Sequence, residues 1–210
     1  MAKKVLLLVL ALVAILFAVI ASRPATFEVK RSLLINAPQE LVYDQVDDFT
    51  SWNAWSPWDK MDPAMKRTVN DVPSGVGAGY SWVGNKDVGE GNMKITEARP
   101  PEHLGLDLNF TAPFAANNRT NFDFEKTGEG TTVTWTMSGT NNFVSKAMSL
   151  FMDMDKMVGP DFERGLASMK SLAEAQAAKR AAEARAAAEA AAAAAPPPAA
   201  VDAAVDAGTP

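Results

Sequence analysis

Cysteine is absent from this chain of 210 residues, and histidine occurs once, at His103. Without thiols there are no disulfides, thiolate metal sites or cysteine nucleophiles, and the redox compartment is left open. A Ser–His–Asp triad would have to use His103, and no nucleophile motif lies near it. His103 follows Pro100-Pro101-Glu102 at the start of a strand-like segment, where a solvated residue is expected rather than a base. A metal site would have to be built from carboxylates. The close pairs, Asp47-Asp48, Asp153 with Asp155 and Asp161 with Glu163, are adjacent or two apart, and such positions on a helix diverge. They are expected on solvated surface, so neither a metal nor a cofactor is implied. A basic stripe is also missing: 20 Lys and Arg against 25 Asp and Glu leave a net charge of −5, which argues against nucleic acid. The glycines of Gly75-Val76-Gly77-Ala78-Gly79 lack a following Lys-Ser/Thr and precede a strand, which sets aside a phosphate loop.

One end of the chain is rich in what the middle lacks. Met1-Ala2-Lys3-Lys4 is followed by an uncharged apolar run over residues 5–21. A helix of about 17 residues rises roughly 25 Å, the lower limit for a bilayer core. The run is apolar on every face, which a buried core helix would not need to be. A cleaved signal peptide shares the basic start, but the small residues around Ala18, Ala21 and Ser22 are out of step with a cleavage site. The run therefore reads as an uncleaved single-pass anchor. Lys3 and Lys4 outweigh Arg23, which leaves the N-terminus cytoplasmic and the rest on the outer, periplasmic side.

The other end is nearly pure alanine from Leu172, with scattered charges, until Pro196-Pro197-Pro198. Alanine favours a helix and no apolar stripe of Leu, Ile or Val argues for a coiled coil. The expected division is residues 1–23 as cytoplasmic tip and anchor, 24–172 as one domain, 173–195 as a helical extension and 196–210 as a disordered tail. The tail could contact a protein partner, though no motif supports one.

The central block alternates first. Phe27, Val29, Leu33 and Ile35 share one face of a strand over residues 26–35. Asn36 offers an N-cap with Pro38 in the first turn of a helix whose apolar face is Leu41, Val42, Val46 and Phe49. Three of the five tryptophans then fall at Trp52, Trp55 and Trp58, as a short second helix or turn stopped by Pro57. About six strands follow, over residues 65–70, 80–83, 92–98, 103–110, 119–125 and 131–138, and their hairpin-length links require an antiparallel meander. The last element is a long helix from about Asn142, kinked or split at Pro160.

This order resembles the SRPBCC superfamily, the START/Bet v1-like helix-grip fold, and within it the polyketide cyclase/dehydrase-like group. The residues that carry the resemblance are Arg31-Ser32 with Ile35, Ala37-Pro38, Glu40, Asp48-Phe49 and the tryptophan block through Pro57-Trp58. Further along are Tyr80 and Trp82 after the glycines, the strand around Trp135, and Asp161-Phe162-Glu163 with Gly165-Leu166 and Lys170. The resemblance spans residues 27–172. It implies an α+β fold, a curved antiparallel sheet of about seven strands around a long C-terminal helix with two short helices after the first strand. Between sheet and helix it implies a deep apolar cavity that holds lipids, polyketides or other hydrophobic molecules.

In that frame Trp82, Met93, Leu106, Leu108, Phe122, Trp135 and Met137 on the sheet are the candidate pocket lining, with Met148, Phe151 and Met152 on the last helix. Methionine suits variable apolar ligands. The tryptophan block is expected chiefly as a packed corner closing one end of the cup. Tyr80, Glu97, Asp107 and Arg119 are conceivable acid–base groups inside the cavity, but the sequence singles out none of them as catalytic. The favoured reading is a membrane-anchored domain that binds a hydrophobic small molecule or lipid. A polyketide cyclase/dehydrase-type enzyme in the same cavity is the alternative, and an envelope interaction protein the third.

Overall fold

The computed structural model describes residues 1–194, and the expected disorder of the Pro/Ala-rich tail lies outside them. The chain divides into two units, Met1–Ala177 and Ala178–Pro210. The first holds every strand.

Helix α1 (Ala2–Ser22) is followed after three residues by β1 (Thr26–Ile35). Next come α2 (Gln39–Asp47), a 3-10 turn at Phe49–Ser51, α3 (Trp52–Trp55) and α4 (Pro57–Met61). Six strands follow: β2 (Lys66–Val69), β3 (Gly79–Val83), β4 (Glu90–Arg99), β5 (His103–Ala112), β6 (Ala116–Thr127) and β7 (Gly130–Thr140). The chain ends in α5 (Phe143–Met148) and α6 (Met154–Ala194). The strands form one seven-stranded sheet in the order β1-β7-β6-β5-β4-β3-β2, every neighbouring pair antiparallel. This is the helix-grip architecture, with residues 154–177 of α6 laid across the inner face.

Register sorts the loops into two rims. Thr26 pairs with Thr140, Asn118 with Gly139, Phe110 with Ala116 and Glu90 with Ala112. The start of β1, the end of β7 and the β5–β6 turn therefore share one rim, the rim where α1 enters. The β6–β7 turn at Gly128-Glu129 and the end of β1 lie at the other.

That second rim is closed by the tryptophan block. Trp52 and Trp55 donate their indole N–H groups to the carbonyls of Val46 and Gln45, each at 2.9 Å, which satisfies the polar atom of two buried rings. Pro57 does not stop this segment but opens α4 at its first position, where its missing N–H costs nothing. The N-cap of α2 is Pro38 rather than Asn36, whose backbone N–H instead reaches Glu174 on α6.

The break in the last helix also falls elsewhere than expected. Pro160 remains inside α6, and the interruption is at residues 149–153. Lys156 and Pro160 are both exposed, so the carbonyl that loses its partner faces water. Asp153 accepts from the backbone N–H groups of Asp155 and Lys156 and so starts α6 as an N-cap while staying exposed as expected, whereas the Asp161 side chain, paired with Arg164, is largely covered rather than solvated.

Arg31, on the inner face of β1, joins the sheet to α6. Its guanidinium bonds Asp155 at 2.7 Å and Glu163 at 2.7 Å. It lies against Gly159, where a Cβ would collide with the guanidinium. Six residues on, a Cβ at Gly165 would meet the Trp135 ring at 2.8 Å. These two glycines let α6 sit close on β1 and β7.

Candidate functional site

Between the inner face of the sheet and the start of α6 lies a cavity of about 1130 Å³. Drug-sized pockets run from about 300 to 1,000 Å³, so this one is large. Its walls come from inward positions of the strands, which alternate with outward ones. Trp82, Met93, Leu108, Trp135 and Met137 line it from β3, β4, β5 and β7. Phe110 and Thr120 add to the same wall, and Val158 and Phe162 face it from α6. Met148, Phe151 and Met152, from α5 and the break that follows it, stand over the mouth.

Leu106 and Phe122 do not reach this space. Both are fully buried in the core. The Phe122 ring stacks on Trp135 at 4.9 Å and meets Trp52 and Trp55 edge-on. The tryptophan block fills the cup at their level, so inward residues nearer the α1 rim see the cavity and those nearer the closed rim see packed rings. Trp52 and Trp58 form the cavity's inner end, whereas Trp55 is enclosed completely. The block is thus both a packed corner and a wall.

Three of the four conceivable acid–base residues lie on the opposite face of the sheet. Arg119 on β6 pairs with Glu97 at 2.9 Å and Asp107 at 3.2 Å. His103 is not solvated: its ring meets Asp123 at 2.7 Å and Glu97 at 3.5 Å, and it is largely buried. A register shift between Ile95 and Glu97 turns Glu97 outward, so alternation from Ile95 misplaces it. This cluster braces the outer face of β4, β5 and β6, and Tyr80 alone of the four reaches the cavity.

At the wall, Asp59 is held by Arg67. Burial, with the charge of Asp59 adding to it and Arg67 opposing, pushes the Tyr80 phenol well above its ordinary range. Two buried polar atoms of the wall residues, Trp135 Nε1 and Thr120 Oγ1, have no hydrogen-bond partner among the described residues. Thr120 pairs with Met137 and Phe122 with Trp135, which places these two residues diagonally on one face. Among the described residues no three His or acidic side chains are grouped as metal ligands. Sequence reasoning missed Thr120 and the α6 residues Val158 and Phe162. The threonine follows from the alternation of β6, and Phe162 from the helical spacing with Val158.

Solved structures share this fold at low identity. A Chromobacterium violaceum protein is 16% identical, with 72% of this chain and 98% of that chain covered and a TM-score of 0.52. A Staphylococcus epidermidis protein is 18% identical, with 74% and 93% covered and a TM-score of 0.51. The di-domain ARO/CYC protein StfQ of the steffimycin biosynthetic pathway is 10% identical, and the match covers 73% of this chain and 53% of that one at a TM-score of 0.54. No curated protein matches the chain significantly in sequence. Residues 26–174 match the family described as polyketide cyclase/dehydrase and lipid transport, and with well over half its length matched the chain belongs to that family.

Proposed function

We propose that the chain is a membrane-anchored domain that binds a hydrophobic small molecule or lipid in its internal cavity, without covalent chemistry. The observation that carries this is the cavity itself, about 1130 Å³ of mostly apolar wall opening at the rim where α1 enters. Helix α1 is long and apolar enough to cross a bilayer. With Lys3 and Lys4 in its first turn, the domain stands on the outer side. Large apolar pockets with few convergent polar groups suit ligands held by burial. The polar atoms of Thr120 and Trp135 would meet the few acceptors such a ligand carries. Asp59, the carboxylate beside Tyr80 at the wall, is occupied by Arg67. That pairing favours binding over the cyclase reading.

The test is native mass spectrometry of the full chain after exhaustive detergent exchange, with solvent extraction of what remains. The wild type should retain one apolar molecule per chain. A folded variant carrying Met93→Trp, Leu108→Trp and Met137→Trp, its cavity narrowed from three strands, should retain markedly less. Equal retention by both proteins would sink the cavity as the binding site.

A further inference from the structure

The apolar surface around the cavity mouth is unusually bare. Helix α5 has no buried residue, and Phe143 and Val144 are 47% and 60% exposed. Phe151 is 89% exposed and Phe114, in the β5–β6 turn, is 65% exposed. Met148, Met152, Met154 and Met157 are exposed beside them. A contiguous apolar rim of this kind on a folded domain marks an interaction site.

The attachment of α1 identifies what covers it. Three residues separate the end of α1 from the start of β1, and three extended residues span only about 10 Å. A bilayer crossed by α1 must lie against the rim at which β1 begins. The contact between α1 and α5 is tighter still. The rings of Phe17 and Phe143 stack at 5.1 Å, and Arg23 donates to the Ser149 carbonyl at 2.7 Å. Phe17 sits six residues before Arg23, about 9 Å along a helix, inside the apolar run. Whatever depth Phe17 takes, Phe143 shares it. Arg23 and Lys146 mark the level above, where long cationic side chains reach headgroups while their stems stay apolar.

We infer that α5, the 149–153 segment and the Phe114 turn dock into the near leaflet of the bilayer that α1 spans, so that the cavity opens into the membrane rather than into water. This rests on the anchoring part of the proposed function. The ligand class follows: an apolar molecule resident in that leaflet, entering past Phe114, Met148, Phe151 and Met152 without crossing the aqueous phase. A bound depth of about 5–10 Å is what amphipathic interfacial segments reach, which matches the depth set by Phe17.

The absence of cysteine makes the test direct. Single variants Phe114→Cys, Val144→Cys and Phe151→Cys of the full chain carry an environment-sensitive fluorophore in phosphatidylcholine vesicles containing phosphatidylcholine doxyl-labelled either near the headgroup or deep in the acyl chain. Leu12→Cys reports on the anchor and Glu129→Cys on the far rim, roughly 35 Å away along β7. The three mouth probes and the Leu12 probe should be quenched roughly twofold or more beyond the Glu129 probe. If Leu12 is quenched but the mouth probes match Glu129, docking is overturned and the anchor stands. If Leu12 is not quenched either, the anchor fails and docking falls with it.

Discussion

The rings of Trp135 on β7 and Phe162 on α6 lie face to face, their centroids 3.9 Å apart and their planes within 6°. The pair joins sheet to helix at the cavity wall, and Gly165 leaves room for it. Phe162→Ala should cost about 3–5 kcal/mol in urea unfolding of the full chain in mild detergent. Phe162→Leu keeps most of the volume and should lose far less, with a deficit of about 0.5–1.5 kcal/mol from the missing ring pair.

Gly159 and Arg31 should show a reversal of sign. In the wild type Gly159→Ala pushes a methyl into the guanidinium that bonds Asp155 and Glu163, so it destabilises. In an Arg31→Ala background the same change removes a helix-interior glycine at no steric cost and should stabilise by about 0.5–1 kcal/mol. A double-mutant cycle by denaturation measures the coupling, and additivity would contradict the packing described.

Depth along β5 should separate stability from binding. Leu106→Ala opens a hole in a fully buried core and should cost about 2–5 kcal/mol. Leu108→Ala only enlarges an existing cavity and should cost about 1 kcal/mol. Retention of the extracted apolar molecule should change more in Leu108→Ala than in Leu106→Ala.

Alkaline pH should destabilise the protein through Tyr80, and also through Tyr43, whose phenol is held well above its ordinary range by burial and by the charge of Asp47. The folded Tyr80 phenol titrates far above the unfolded value of about 10. The unfolded chain therefore releases this proton first, so the contribution is intact below about pH 10 and is lost as pH rises beyond it. Tyr80→Phe should lessen the fall in denaturation midpoint between neutral pH and about pH 11, and adding Tyr43→Phe should flatten it further. An unchanged alkaline limb would show that Tyr80 does not carry it.

Much of this molecule was legible in its residues. Alternation at period two placed the strands, glycine and proline marked their turns, and hairpin-length links required antiparallel pairing. The apolar run before Arg23 and the alanine-rich end stood out by composition alone. These are local properties, because side-chain direction and backbone freedom depend on near neighbours.

Only the tertiary structure decided which inward residues meet the cavity. Alternation says that Leu106, Leu108 and Phe122 share a face, but not how far along that face the rings of Trp52 and Trp55 extend. One register shift reversed Glu97, and with it the partners of Arg119 and His103. The break at residues 149–153 depends on Asp153 as a cap and on Arg31, more than a hundred residues earlier, holding the first turns of α6. Faces follow from the chain's own geometry, whereas depth, pairing and the bare rim beside α1 arise from contacts between segments distant in sequence.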